Sequence, residues 1–147
     1  MEIDFSEYLE SLTADIFYTY SIRTAEIDID LDIDKKIMLN IETAIPCGLI
    51  YSELLSNSIK HAFPNDQGGK IIVEFKRSDD ELMLRVSDNG VGLPEEIDFQ
   101  KTETLGLQLI NNLVKQIDGA IKLDKTHGTS FKVKFKELQY KDRMQYD

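Results

Sequence analysis

The sequence is poor in the features that would place it outside an ordinary cytosolic domain. Its single cysteine, Cys47, excludes an intramolecular disulfide, and with no second thiol nearby a zinc site is not expected. No apolar run approaches the roughly 20 residues of a membrane span, so direct membrane contact is not expected. The start, with Glu2, Asp4 and Glu7, lacks the basic region and apolar stretch of a secretory signal. Basic residues are too few for a polyanion: 17 Lys and Arg against 27 Asp and Glu leave a net charge of −10, which argues against a nucleic-acid partner. Neither repeats nor low-complexity segments are present.

What remains is one domain of 147 residues, long enough to bury a core unaided. Asp4 to Tyr20 carries Phe5, Leu9, Leu12 and Ile16 at helical spacing, an amphipathic helix. Ile27 to Asp34 alternates apolar and acidic residues, the period of a half-buried strand. Pro46 is read as opening a second helix that runs to about Phe63, and the turn formers from Pro64 to Gly69 end it. Lys70–Lys76 and Glu81–Ser87 read as a hairpin about the turn Arg77–Asp80. A helix from Leu105 to Ile117 and strands near Ala120–Leu123 and Thr129–Phe135 complete the pattern. Hairpins mixed with helices predict an α+β two-layer sandwich with a mostly antiparallel sheet.

Several polar residues stand where chemistry is possible. On the second helix Glu53, Asn57, Lys60 and His61 share one side, opposite Tyr51, Leu54, Leu55, Ile59 and Ala62. Glu53 and Asn57 are one turn apart, so their oxygens suit a hard cation such as Mg²⁺, although a solvated polar face has the same pattern. Strand alternation places Asp88 on the face of Leu82, Leu84 and Val86, where a buried carboxylate needs a hydrogen-bond donor such as a purine amine. An Asx-turn would account for Asp88 equally well. Gly90 and Gly92 follow, then Gly106 opens a helix, and Thr129 shares parity with Phe131, Val133 and Phe135.

Taken in order, these segments resemble the ATP-binding boxes shared by histidine kinases, gyrase-type topoisomerases, ATPase chaperones and mismatch-repair ATPases. Glu53–Pro64 resembles the N box, Asp88–Gly92 the first glycine box, Leu105–Leu107 the second, and Gly128–Thr129 the last. Asn57-x-x-Lys60-His61-Ala62 is similar to the sensor kinases whose dimerisation domain is of the second histidine-kinase type, a likeness running from about Asp4 to Phe135. The resemblance implies that the sheet is mixed, with helices on one face, and that ATP and Mg²⁺ are the cofactors. It places Asn57 at the metal and Glu53 at its water or at the incoming nucleophile. Lys60 and His61 would meet phosphate or ribose oxygens, and Asp88 the adenine amine. Gly90 and Gly92 would let base and lid approach, Gly106 and Leu107 would offer backbone N–H groups to phosphate, and Thr129 would complete the adenine network through water. Residues 94–104 would be a short lid.

The same likeness implies a γ-phosphate acceptor histidine on a dimerisation domain, and no such motif occurs here; His61 and His127 lie inside the boxes. The expected organisation is a connector helix over residues 1–22, a catalytic domain over 23–138 and a polar tail over 139–147. ATP and the dimerisation domain are the expected partners, with a response regulator reached indirectly, and the parent is either soluble or membrane-attached. A serine kinase of the anti-sigma-factor type is the alternative, favoured if Met1 is a native start. A non-catalytic nucleotide-binding module is a third reading, which the intact Glu53 and Asn57 disfavour.

Overall fold

The computed structural model describes residues 1–20, 26–63, 68–91 and 105–139. In chain order the elements are β1 (Glu2–Asp4), α1 (Phe5–Thr19), β2 (Ile27–Ile33), β3 (Met38–Asn40), α2 (Ile41–His61), β4 (Gly69–Ser78), β5 (Glu81–Asp88), α3 (Leu105–Gln116), β6 (Ala120–Asp124) and β7 (Thr129–Lys136). The expected lid over 94–104, Gly92 and the tail from residue 140 lie outside the described residues.

Five strands form one sheet in the order β2-β4-β5-β7-β6. Only β2 pairs in parallel, with β4; the other neighbours are antiparallel. The sheet is therefore mostly antiparallel, as its pattern predicts, and mixed, as the resemblance implies. Period-two alternation gives it one dry face. Val73, Val86 and Phe131 stand opposite one another in register, as do Phe75, Leu84 and Val133, and all six are buried. Against them pack Leu54, Leu55 and Ile59 of α2, Phe5 and Leu9 of α1, and Ile110 and Val114 of α3. Each such side chain contributes about 1.5–3 kcal/mol on burial. Phe5 meets Phe75 edge-on, with ring centroids 5.0 Å apart. The outer face is charged and cross-linked by ion pairs such as Lys70–Asp30 at 2.8 Å and Arg85–Glu74 at 3.4 Å.

Two local expectations change. Asp4 does not begin α1 but caps it, accepting the Glu7 N–H at 3.2 Å, and β1, unread in the sequence, pairs with β3. The second correction concerns Pro46, which lies inside α2 rather than at its start. A proline there removes one helical hydrogen bond and costs about 3 kcal/mol. The first turn is nonetheless secured by Asn40, whose side chain accepts the N–H of Thr43 at 3.0 Å and its hydroxyl at 2.8 Å. Burial of Thr43, Ala44, Pro46 and Cys47 offsets the rest. Tertiary packing thus extends the helix one and a half turns beyond its apparent breaker.

Candidate functional site

The burial of one side of α2 turns the other side toward α3. Glu53 and Asn57, one turn apart, are both half-buried. The start of α3 comes directly against them: a Cβ placed on Gly106 would stand 3.2 Å from Glu53 Oε2 and 3.9 Å from Asn57 Nδ2. Glycine is what lets the helix start come this near. The first N–H groups of α3 have no partner within their own helix, so donors, a carboxylate and an amide converge on one region. Leu107 buries its side chain in the core, leaving only its backbone for such a role.

Asp88 ends β5 and meets the buried side of α2. Strand alternation buries it with Leu82, Leu84 and Val86, and it is 6% exposed. Its Oδ2 accepts the Ser58 hydroxyl and its Oδ1 the Gly90 N–H, each at 3.0 Å. Burial pushes the carboxyl above its usual range; the Gly90 N–H, the Ser58 hydroxyl and the Thr129 backbone oppose that shift. The bond to Gly90 is an Asx-turn, so the two readings of Asp88, turn former and buried acceptor, are both realised. A carboxylate has about four acceptor positions, and these three donors leave one for a ligand amine.

The surrounding loops are sewn to this aspartate. Thr129 is directly opposite it in register and is buried. Gly128 adopts φ +78°, and any side chain there would run into the Asp88 carbonyl. Gly90 abuts the Ala62 carbonyl, which accepts the Val91 N–H at 2.9 Å. The first glycine box and the end of α2 are thereby locked together.

Lys60 and His61 are exposed on the last turn of α2. The Lys60 ammonium lies 5.5 Å from the centroid of the Tyr20 ring, at the end of α1. Sequence reasoning missed Ser58, whose signal was a hydroxyl on the otherwise apolar side of α2, and it missed Tyr20. A hollow of about 350 Å³ lined by Lys76, Met83, Arg85 and Lys132 lies on the charged outer face of the sheet and plays no part in this arrangement. No group of three or more His, Cys, Asp or Glu residues that could hold a metal occurs among the described residues.

The class so defined is a two-layer α+β sandwich with its polar residues gathered between α2, the start of α3 and the end of β5. The histidine kinase domain of the Erythrobacter litoralis EL346 blue-light activated histidine kinase matches it with a TM-score of 0.83 at 25% identity, covering 91% of this chain and 61% of that one. Histidine kinase AdeS of Acinetobacter baumannii shares the fold with a TM-score of 0.73 at 17% identity, covering 95% and 68%. Residues 43–139 match the family described as Histidine kinase-, DNA gyrase B-, and HSP90-like ATPase, and the chain belongs to that family. Sensor histidine kinase PdtaS of Mycobacterium tuberculosis is 34% identical over 86 residues, 57% of this chain and 17% of that protein. Serine-protein kinase RsbW of Listeria innocua is 34% identical over 80 residues, 45% of this chain and 51% of that protein. The chain thus spans less than a fifth of PdtaS and about half of RsbW.

Proposed function

We propose that this domain binds Mg·ATP and delivers the γ-phosphate to a histidine on a helical dimerisation domain of its parent, which signals onward to a response regulator. The observation that carries the reading is the convergence of Glu53, Asn57 and Gly106 on one side of α2, with buried Asp88 bonded to Ser58 of the same helix. Family membership supports ATP as the nucleotide. In this reading Asp88 accepts the adenine amine, with Thr129 beside it, and Gly90 lets the base approach. Backbone N–H groups at Gly106 and Leu107 meet phosphate, as do the side chains of Lys60 and His61. Glu53 orients the attacking nucleophile and accepts its proton.

The donor set fits magnesium: Asn57 offers one amide oxygen, Glu53 stands one turn away, and a magnesium ion takes its remaining ligands from water and phosphate. When bound, Mg²⁺ neutralises charge on the phosphates. The chain's own contribution is positioning, since phosphoryl transfer leaves little covalent work to the protein. Residues 1–22 are proposed as the connector to the dimerisation domain, 23–138 as the catalytic unit and 139–147 as a polar tail. The cytosol is the proposed compartment; no helix among the described residues is long and apolar enough to cross a membrane.

The likeness to RsbW favours a second reading, transfer to a serine of a small protein partner. Calorimetric titration of the chain with Mg·ATP and Mg·GTP tests the shared step: adenine-selective binding is expected, and a folded chain that binds neither nucleotide would sink both readings. The acid and base stability of the phosphorylated parent then separates them. A phosphohistidine is acid-labile and base-stable, and a phosphoserine shows the reverse.

A further inference from the structure

Two side-chain contacts tie α1 to the helix that carries Glu53 and Asn57. The first is buried. The Thr13 hydroxyl lies 2.7 Å from the Leu9 carbonyl and 2.5 Å from the Tyr51 hydroxyl. Thr13 has one proton to give and Leu9 O can only accept, so Tyr51 donates to Thr13. The second is at the end of α1, where Tyr20 caps the helix, its N–H bonded to the Ile16 carbonyl at 3.1 Å. Its ring is half-buried against the core and lies 5.5 Å from Lys60 Nζ. Along α2 the two anchor points, Tyr51 and Lys60, flank Glu53 and Asn57.

We propose that Tyr20 is a positioning residue for Lys60, holding its ammonium beside the nucleotide's phosphate end; this rests on the nucleotide reading above. Lys60 follows Asn57 by three residues, and side chains at that spacing lie on the same side of a helix. It makes no ion pair with a carboxylate among the described residues. A free lysine on four methylenes samples many rotamers, and ordering it for a phosphate costs entropy. The Tyr20 ring removes part of that cost before ligand arrives, through attraction between the cation and the π face. Because Tyr20 caps α1, and α1 is anchored by the buried Phe5, Leu9 and Thr13, Lys60 inherits the position of α1. Movement of the first helix is therefore felt at the phosphate end through one ring.

The test uses the full chain. In solution NMR the Lys60 Hε protons are expected upfield of the other lysines through the ring current, unchanged in Tyr20→Phe and returned to ordinary values in Tyr20→Leu. Calorimetry with Mg·ATP and with adenosine then reads the role. Tyr20→Leu is expected to weaken Mg·ATP roughly two- to five-fold, the span of an exposed cation–π contact, while adenosine binding holds. In a Lys60→Met background the same change should do nothing further. An unshifted Lys60 resonance in a wild type that binds ATP overturns this proposal alone. So does an equal loss for ATP and adenosine, or additivity with Lys60→Met, since each means a purely structural tyrosine. A wild type with the ring-current shift and no uptake of Mg·ATP overturns the nucleotide reading and the positioning role together.

Discussion

Asp88→Asn separates recognition from folding at the buried end of the site. The substitution keeps shape and one carbonyl oxygen and replaces the other oxygen by NH₂. Ser58 and Gly90 hold the two carboxylate oxygens at 3.0 Å each. With the amide oxygen toward the Gly90 N–H, the NH₂ faces Ser58, whose hydroxyl turns from donor to acceptor, and the folded chain loses at most about 1 kcal/mol. Release of a buried charge offsets that loss. Burial raises the Asp88 pKa in the fold, so the native state holds its proton more tightly than the unfolded chain does. The associated stability is full below the unfolded value and declines as pH rises through the folded one. At about pH 8 the asparagine variant should therefore melt at or above the wild-type temperature, with the gap closing in acid. Nucleotide binding should respond in the opposite sense: a hydrogen bond to a charged acceptor contributes about 1.5–3 kcal/mol, so Mg·ATP should bind roughly ten- to a hundred-fold more weakly. Calorimetry at pH 8 with thermal melts on the same samples reads both. Affinity within two-fold of wild type would refute adenine recognition by Asp88, and a melting temperature several degrees lower would show that the carboxylate serves the fold instead.

Gly106→Ala places a methyl 3.2 Å from Glu53 Oε2, so the carboxylate must yield a few tenths of an ångström. The Mg²⁺-dependent part of ATP affinity should fall about ten-fold while metal-free binding holds, measured by paired titrations with and without EDTA. Gly128→Ala forces an alanine into φ +78° and into the Asp88 carbonyl; a loss of at least about 2 kcal/mol, some 4–8 °C in melting temperature, is expected. Thr13→Val strands the buried Tyr51 hydroxyl and should cost about 1–3 kcal/mol in urea unfolding, more than Tyr51→Phe, and the double variant should recover part of it. Burial, countered in part by the Thr13 hydrogen bond, pushes the Tyr51 phenol up to about 12, so one tyrosine should titrate last in an alkaline absorbance scan. Stability should decline as pH rises from about 10 toward 12, because the unfolded phenol ionises first.

Much of this molecule is legible in sequence because its elements follow local periodicity. Leu82, Leu84, Val86 and Asp88 alternate, and their strand buries them as alternation requires. The Glu53–Asn57 spacing places both on one helix face whatever surrounds it. Turn chemistry alone misleads at Pro46, where the Asn40 cap and a buried first turn carry α2 past a residue that removes a hydrogen bond. The β1–β3 pair was silent because three-residue strands have too few positions to show a period.

The sequence by itself determined the longer elements apart from the start of α2, the parity of Asp88 and the helical spacing of the polar residues, since each depends on bonds between near neighbours in the chain. Only the tertiary structure decided that Gly106 meets Glu53, that Ser58 serves Asp88 and that Tyr20 reaches Lys60. Those contacts join residues 30 or more positions apart, and their geometry is set by how three helices pack on one sheet face, which no local pattern encodes.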